Sequence, residues 1–338
     1  MKQYNFLLVL LILLVAACTP RSADEPKETL LSAADTIEAK TSETPPRLLT
    51  GEDIILKKDL TYHSYTLDDT YPYKDTVREF RWNRIKALLA VLENLQPVEQ
   101  PWAILQNRRN INGEAPLVPN WSRNEYKNVA DSLGVERFQG IPLYLPTDSG
   151  APVRYGRDGE LVRLTKNSED SQFIEAQTVF VPGDFMIPRK YVKFTDTIRF
   201  ERVAFVDRTN QNIATLERTD SLWLIRSMNP ATTGKHNPPY ANDTPEGIFV
   251  IQEKKTKMYY LVDGTSKIAG FAPWASRFTN GGYIHGVPVN NPNGKIIEYS
   301  STLGTIPRSH MCVRNASSHA EYIFQWAETG RSLVIVLD

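Results

Sequence analysis

The 338 residues are enough for about two domains, and 41% hydrophobic with 23% charged is an ordinary globular balance. Lysine plus arginine and aspartate plus glutamate both number 39, so the net charge is zero; with no dense basic run to displace counterions, nucleic acid is excluded as a partner. Two cysteines, Cys18 and Cys312, exclude a disulfide scaffold and a four-cysteine zinc site.

The chain opens on a short positive start, Met1-Lys2, followed by an uncharged apolar run from Phe6 to Ala17. Spanning a bilayer takes about 20 residues, so 1–17 reads as a signal peptide rather than a membrane helix. Its end, Val15-Ala16-Ala17-Cys18, resembles a bacterial lipoprotein box. That resemblance implies cleavage before Cys18 and acylation of its thiol and amine. The alternative is an ordinary secretory signal with an incidental cysteine. On the lipoprotein reading the protein sits in the cell envelope, lipid-anchored to a membrane and facing the periplasm. Cys312 is then the one free thiol left in an oxidising compartment. Residues 18–50 hold the lipidated cysteine and a stretch rich in Ser, Thr, Ala, Glu and Pro that reads as a disordered tether.

Residues 51–195 read as an α+β region with two helices. Thr76-x-x-Glu79 has the form of a capping box ahead of Phe80, Ile85, Leu88, Leu89, Leu92 and Leu95, with Pro97 as the stop. Ser122-x-x-Glu125 is a second such box ahead of Tyr126, Val129, Ala130 and Leu133, with Gly134 as the cap. From about 138 short β-type runs take over: 141–145, 152–155, 160–164, 176–181 and 191–194. Five short strands in so short a stretch suggest a small barrel, and 138–195 looks like a bacterial SH3-type module.

Residues 196–338 read as mainly β with one helix. The runs 202–206 and 212–216 flank Asp207-Arg208-Thr209-Asn210, a hairpin signal, and 222–227, 249–252, 258–262 and 283–285 continue in strand chemistry. Ser318-x-x-Glu321 marks a last helix with Tyr322, Ile323 and Trp326 on its apolar face, and 332–337 closes as an apolar strand.

Several catalytic signatures are missing: Ser-x-x-Lys, Gly-x-Ser-x-Gly, His-Glu-x-x-His and a phosphate-binding glycine loop. What remains is Ser309-His310-Met311-Cys312-Val313-Arg314, with Ile284-His285-Gly286 upstream. A thiol attacks as thiolate, so it needs a neighbouring base and a site to hold the oxyanion it generates. Histidine titrates in the right range to be that base. Two other readings of these residues stand beside it. Cys312 is a buried small hydrophobe and His310 a surface residue, or His285, His310, Cys312 and His319 surround a zinc ion, for which His-x-Cys spacing is poor.

These motifs resemble those of the bacterial L,D-transpeptidases, the YkuD-type catalytic domain. Thr232-Thr233-Gly234-Lys235 and Thr244-Pro245-Glu246-Gly247-Ile248-Phe249 look like that family's upstream stretch, and Asp207 to Glu217 like its opening hairpin. The resemblance covers about 200–338 and implies a β-sandwich catalytic domain with one C-terminal helix, needing neither metal nor cofactor. It implies Cys312 as nucleophile and His285 as base, with Ser309, His310 and Met311 lining the site and Arg314 anchoring a loop or a substrate carboxylate. The implied partners are donor and acceptor stem peptides of peptidoglycan, joined through a cysteine thioester into 3–3 cross-links. Water as acceptor gives an L,D-carboxypeptidase instead, and a spoiled oxyanion site gives a non-catalytic wall-binding lipoprotein. Two departures stand out. Met311 replaces the family's usual glycine, tolerable for an oxyanion hole at 311 and 312 provided its φ is negative. The Pro- and Asn-rich segment 286–308 is longer than usual and reads as a loop over the acceptor side. His63, His236 and His319 are assigned no catalytic part.

Overall fold

The computed structural model describes residues 47–96, 101–165, 171–195 and 197–338. The signal peptide, Cys18, most of the tether and the Pro97 stop lie outside the described residues.

Two sheets and two helices frame the C-terminal half. A six-stranded sheet runs in the order Leu56–Lys58, Trp223–Pro230, Asn212–Arg218, Arg202–Asp207, Ser332–Leu337, Gly247–Val250. All six residues of Ser332–Leu337 are buried, as a strand covered on both faces requires. Alternation divides its side chains: Leu333, Ile335 and Leu337 join Val203 and Phe205 in one core, Val334 and Val336 join Ala204 and Val206 in another. The first core is closed by helix α1, Trp82–Leu95, through Ile85, Leu88, Leu89 and Leu92. The second is closed by a four-stranded sheet, Glu253–Leu261, Ile268–Thr279, Gly282–His285 and Val313–Arg314, through Phe278, Ile284 and Val313. Helix α2, Ser317–Trp326, adds Ile323 to the same layer. The fold is mainly β, and the expected sandwich with its C-terminal helix is present.

The three capping boxes are not caps. Thr76–Glu79 is a strand paired with Thr70–Tyr73, and the Thr76 hydroxyl donates to Tyr73 O (2.9 Å) to close that hairpin, so it has no helix to cap. Helix α1 starts two residues beyond Phe80, with Arg81 at its N-cap. The expected second helix does not form. Ser122–Arg123 pairs with Val129–Ala130, and the Asn124 side chain accepts the N–H groups of Tyr126 and Asn128, both at 3.0 Å. An asparagine offering its own backbone a turn outcompetes a weakly amphipathic helix. Among its described residues the N-terminal region therefore holds one α-helix, not two. At α2 the cap position is Ala316, while Ser318 turns to the Glu298 carboxylate.

The 138–195 module is not self-contained. Its strands join a five-stranded sheet, Gly183–Pro188, Phe173–Thr178, Leu161–Leu164, Trp102–Leu105, Val192–Phe194, in which 102–105 comes from outside the expected boundary. Gly140–Leu143 pairs instead with Arg154–Arg157 in a separate ribbon. The boundary at 195/196 is likewise crossed. Residues 47–338 pack as one compact unit. Leu56–Lys58 lies parallel to Trp223–Ile225, and Glu93 of α1 accepts from Trp223 Nε1 (3.0 Å) and from Arg199 (3.0 Å).

Candidate active site

Parallel pairing of Gly282–His285 with Val313–Arg314 sets Ile284 opposite Val313 and His285 opposite Arg314. Residues directly opposite share a face, and alternate residues share it again. Ile284 and Val313 therefore point into the core, while His285, Cys312 and Arg314 point the other way. All three line one cavity of about 680 Å³. Sheet register sets His285 opposite Arg314, and the turn leading into that strand carries the thiol into the same cavity.

His285 is buried, and its Nδ1 lies 2.6 Å from Gly286 O. A carbonyl can only accept, so Nδ1 carries the proton and Nε2 is left as the free base. Burial pushes the His285 pKa down to about 4, against the Gly286 hydrogen bond, which favours the protonated ring. The Cys312 thiol donates to Gly281 O at 3.4 Å. Burial pushes it up to about 11, opposed by the Tyr283 backbone N–H and the charge of Arg314. Both shifts favour the neutral forms. At rest the pair is thiol and imidazole.

The backbone around Cys312 is clamped by the two upstream motifs. Thr232 exchanges both backbone hydrogen bonds with Arg314 (2.9 Å each), Thr233 O accepts the N–H groups of Arg308 and Ser309, and Lys235 N donates to Ser309 O. Thr244 Oγ1 accepts from Gly234 N (2.8 Å) and donates to Met311 O (2.7 Å). A Cβ on Gly234 would stand 2.8 Å from Met311 Cα and 2.3 Å from Asn242 O, so only glycine permits this approach. The Ser309 hydroxyl, itself buried, donates to Cys312 O and accepts from Met311 N (3.3 Å), which folds 309–312 into a turn. Ser309 thus shapes the turn that carries the thiol.

Of the remaining expected site residues, His310 and Arg314 line the thiol cavity and Met311 does not. His310 is exposed, with Nε2 3.1 Å from Asp263 Oδ2 on the turn between Glu253–Leu261 and Ile268–Thr279. Arg314 keeps a buried Nε with no partner among the described residues. Met311 faces away from the thiol cavity into a neighbouring cleft, and its φ is +157°, at the edge of the region that favours glycine. The negative φ required of a side chain here is not met, and the Met311 N–H already points at Ser309. His319 is buried, 2.9 Å from Ser227 Oγ and against the ring of Tyr62, and burial pushes it down to about 3. His236 is exposed between Glu125 and Asp243. The four residues of the zinc reading do not converge.

The long segment 286–308 is a pinned wall of the cavity. Val289 exchanges backbone hydrogen bonds with Phe271, Ser317 N donates to Glu298 O, and Gly304 N donates to Ala231 O. Gly281, Thr244 and Asp263 had no assigned part in the sequence reading. Of these only Thr244 lay within a recognisable motif.

Residues 201–336 match the family model for the L,D-transpeptidase catalytic domain, YkuD. Among solved structures, an L,D-transpeptidase from Mycobacterium smegmatis is similar at 16% identity over 59% of this chain and 78% of that one, with a TM-score of 0.33. One from Mycobacterium tuberculosis H37Rv is similar at 17% over 54% and 92%, TM-score 0.33. One from Stackebrandtia nassauensis is similar at 21% over 41% and 56%, TM-score 0.29. No curated protein matches the chain by sequence.

Proposed function

We propose that this protein, whose residues 201–336 match the L,D-transpeptidase catalytic-domain model, is a cysteine-dependent L,D-transpeptidase joining peptidoglycan stems by 3–3 cross-links. The observation that carries the proposal is a buried thiol and a buried imidazole with its Nε2 free, on one face of two paired strands beside an open cavity. Nε2 of His285 takes the Sγ proton as sulfur attacks the carbonyl between a diamino acid and D-alanine. The tetrahedral centre collapses, the imidazolium gives its proton to the departing D-alanine amine, and a thioester remains on Cys312. An acceptor amine then attacks the thioester, loses a proton to Nε2, and the thiolate leaves and is reprotonated.

A cavity of about 680 Å³ has room for a peptide amine as acceptor, and its apolar lining from Val287, Leu303 and Met258 discourages free water. Both support transfer over hydrolysis. Incubating residues 47–338 with tetrapeptide muropeptides should yield a dimer that has lost one D-alanine. Tripeptide monomer as sole product would assign the carboxypeptidase reaction, and no product would leave the non-catalytic wall-binding reading.

The lipid anchor at Cys18 is proposed on its motif alone, facing the periplasm. Among the described residues no helix is long and apolar enough to cross a membrane. Wild type should pellet with membranes, and Cys18→Ser should not be processed as a lipoprotein. Unchanged processing and fractionation in that variant would remove the anchor.

A further inference from the structure

A second cleft, of about 720 Å³, lies between the N-terminal region and the stretch 242–249. Its inner end reaches Asn280 and Met311, whose chain neighbours Gly281 and Cys312 line the thiol cavity. The two spaces thus approach the nucleophile from either side of the same two backbone segments. Nothing lies within 4 Å of where a Cβ on Gly281 would stand, so the thiol cavity is unobstructed at that residue.

The wall opposite the catalytic residues comes from outside the family match, from 124–140, 154–160 and 180–181. Most charges there are committed. Glu136 accepts from Asn124 and Asn128, and Glu246 pairs with Arg208 at 3.4 Å. Glu160 accepts from the backbone N–H of Arg157 at 3.0 Å. The Arg157 guanidinium lines the cleft and forms no hydrogen bond or ion pair within the described residues; burial pushes it below its ordinary value, opposed by the charges of Glu160, Asp131, Glu136 and Glu246. A guanidinium whose N–H donors are unfilled can receive a carboxylate as a bidentate pair. Leu133, Phe138 and Val181 supply an exposed apolar rim.

The direction of the chemistry assigns an occupant. The departing and the entering amine both exchange a proton with Nε2 of His285, so both pass through the thiol cavity. The acyl portion of the donor extends from the other side of the carbonyl. We propose that the second cleft binds this acyl half of the donor stem, with Arg157 receiving one of its carboxylates. The assignment rests on the transpeptidase reading above.

The test measures donor and acceptor kinetics together with binding of the disaccharide-tripeptide, which is the acyl half as free acid. Arg157→Gln should raise the donor KM and the tripeptide Kd about tenfold, the scale of a charge-assisted hydrogen bond. It should leave the acceptor KM and the alkylation of Cys312 by iodoacetamide unchanged, and Arg157→Lys should recover most of the loss. Val181→Trp, at an exposed turn, should fill the cleft with the same donor-only effect and guards against a folding defect in the arginine variants. An unchanged donor KM and tripeptide Kd in both Arg157→Gln and Val181→Trp would overturn the proposal while the transpeptidase reading stands. An effect on the acceptor alone would overturn it too. Tripeptide binding that depends on Arg157 in a protein without transferase activity would support the cleft and sink the reaction. Neither binding nor activity would sink both.

Discussion

Replacing Cys312 by alanine is expected to abolish transfer completely, and His285→Gln to lower it by about 10²–10⁴, because the thiol is the bond-forming atom while the imidazole supplies proton transfer. Neither change should unfold the protein. Cys312 is small and at the rim of a cavity, and a glutamine amide at 285 can still donate to the Gly286 carbonyl. Chelators should have no effect on either form. Intact mass after incubation with tetrapeptide gives the sharpest reading: wild type gains an acyl adduct, Cys312→Ala does not. An adduct that persists in the alanine variant would mean that another residue is the nucleophile.

Cys312 should be a slow thiol at neutral pH and become faster by about tenfold per pH unit up to about 11, since only the thiolate reacts. At pH 7 that places alkylation by iodoacetamide about a hundredfold below an ordinary cysteine thiol, judged by pKa alone. Turnover should follow a different curve. His285 must be neutral to accept a proton, and protonation removes it as pH falls through about 4, so kcat/KM should be flat through neutrality and drop only in acid. The two profiles together distinguish a neutral pair, which transfers its proton during attack, from a preformed thiolate–imidazolium pair. A pair of that kind would give rapid alkylation already at pH 6, and that result would contradict the neutral assignment.

The sequence revealed the C-terminal half better than the region before it, for a physical reason. Strands such as 202–207 and 332–337 are buried on both faces or alternate cleanly, and a hydrophobic run reports burial directly. That Cys312 and His285 would share a cavity was legible because thiol chemistry restricts the residue types. The N-terminal errors share one cause: a hydroxyl three residues before a glutamate has the form of a helix cap, but the same hydroxyl or a neighbouring amide can close a turn. Thr76 and Asn124 did so. The strand 102–105 was missed as a member of the later sheet because pairing across some sixty residues leaves no local pattern. The second cleft was invisible for the same reason, since its two walls are far apart in the chain.

The parallel pairing of Leu56–Lys58 with Trp223–Ile225 bears on any attempt to cut this chain at the boundary of the family match. A fragment beginning at 201 would lose that strand and α1 together. The strand Trp223–Pro230 would then present a free row of amides and carbonyls, and Val203, Phe205, Leu216 and Ile225 would face water. An apolar face beside an unpaired, lengthy edge is a template for a second copy to add onto, strand against strand. The isolated catalytic segment should therefore collect in inclusion bodies, and the stretch from 51 to 200 serves the sheet as its permanent edge guard.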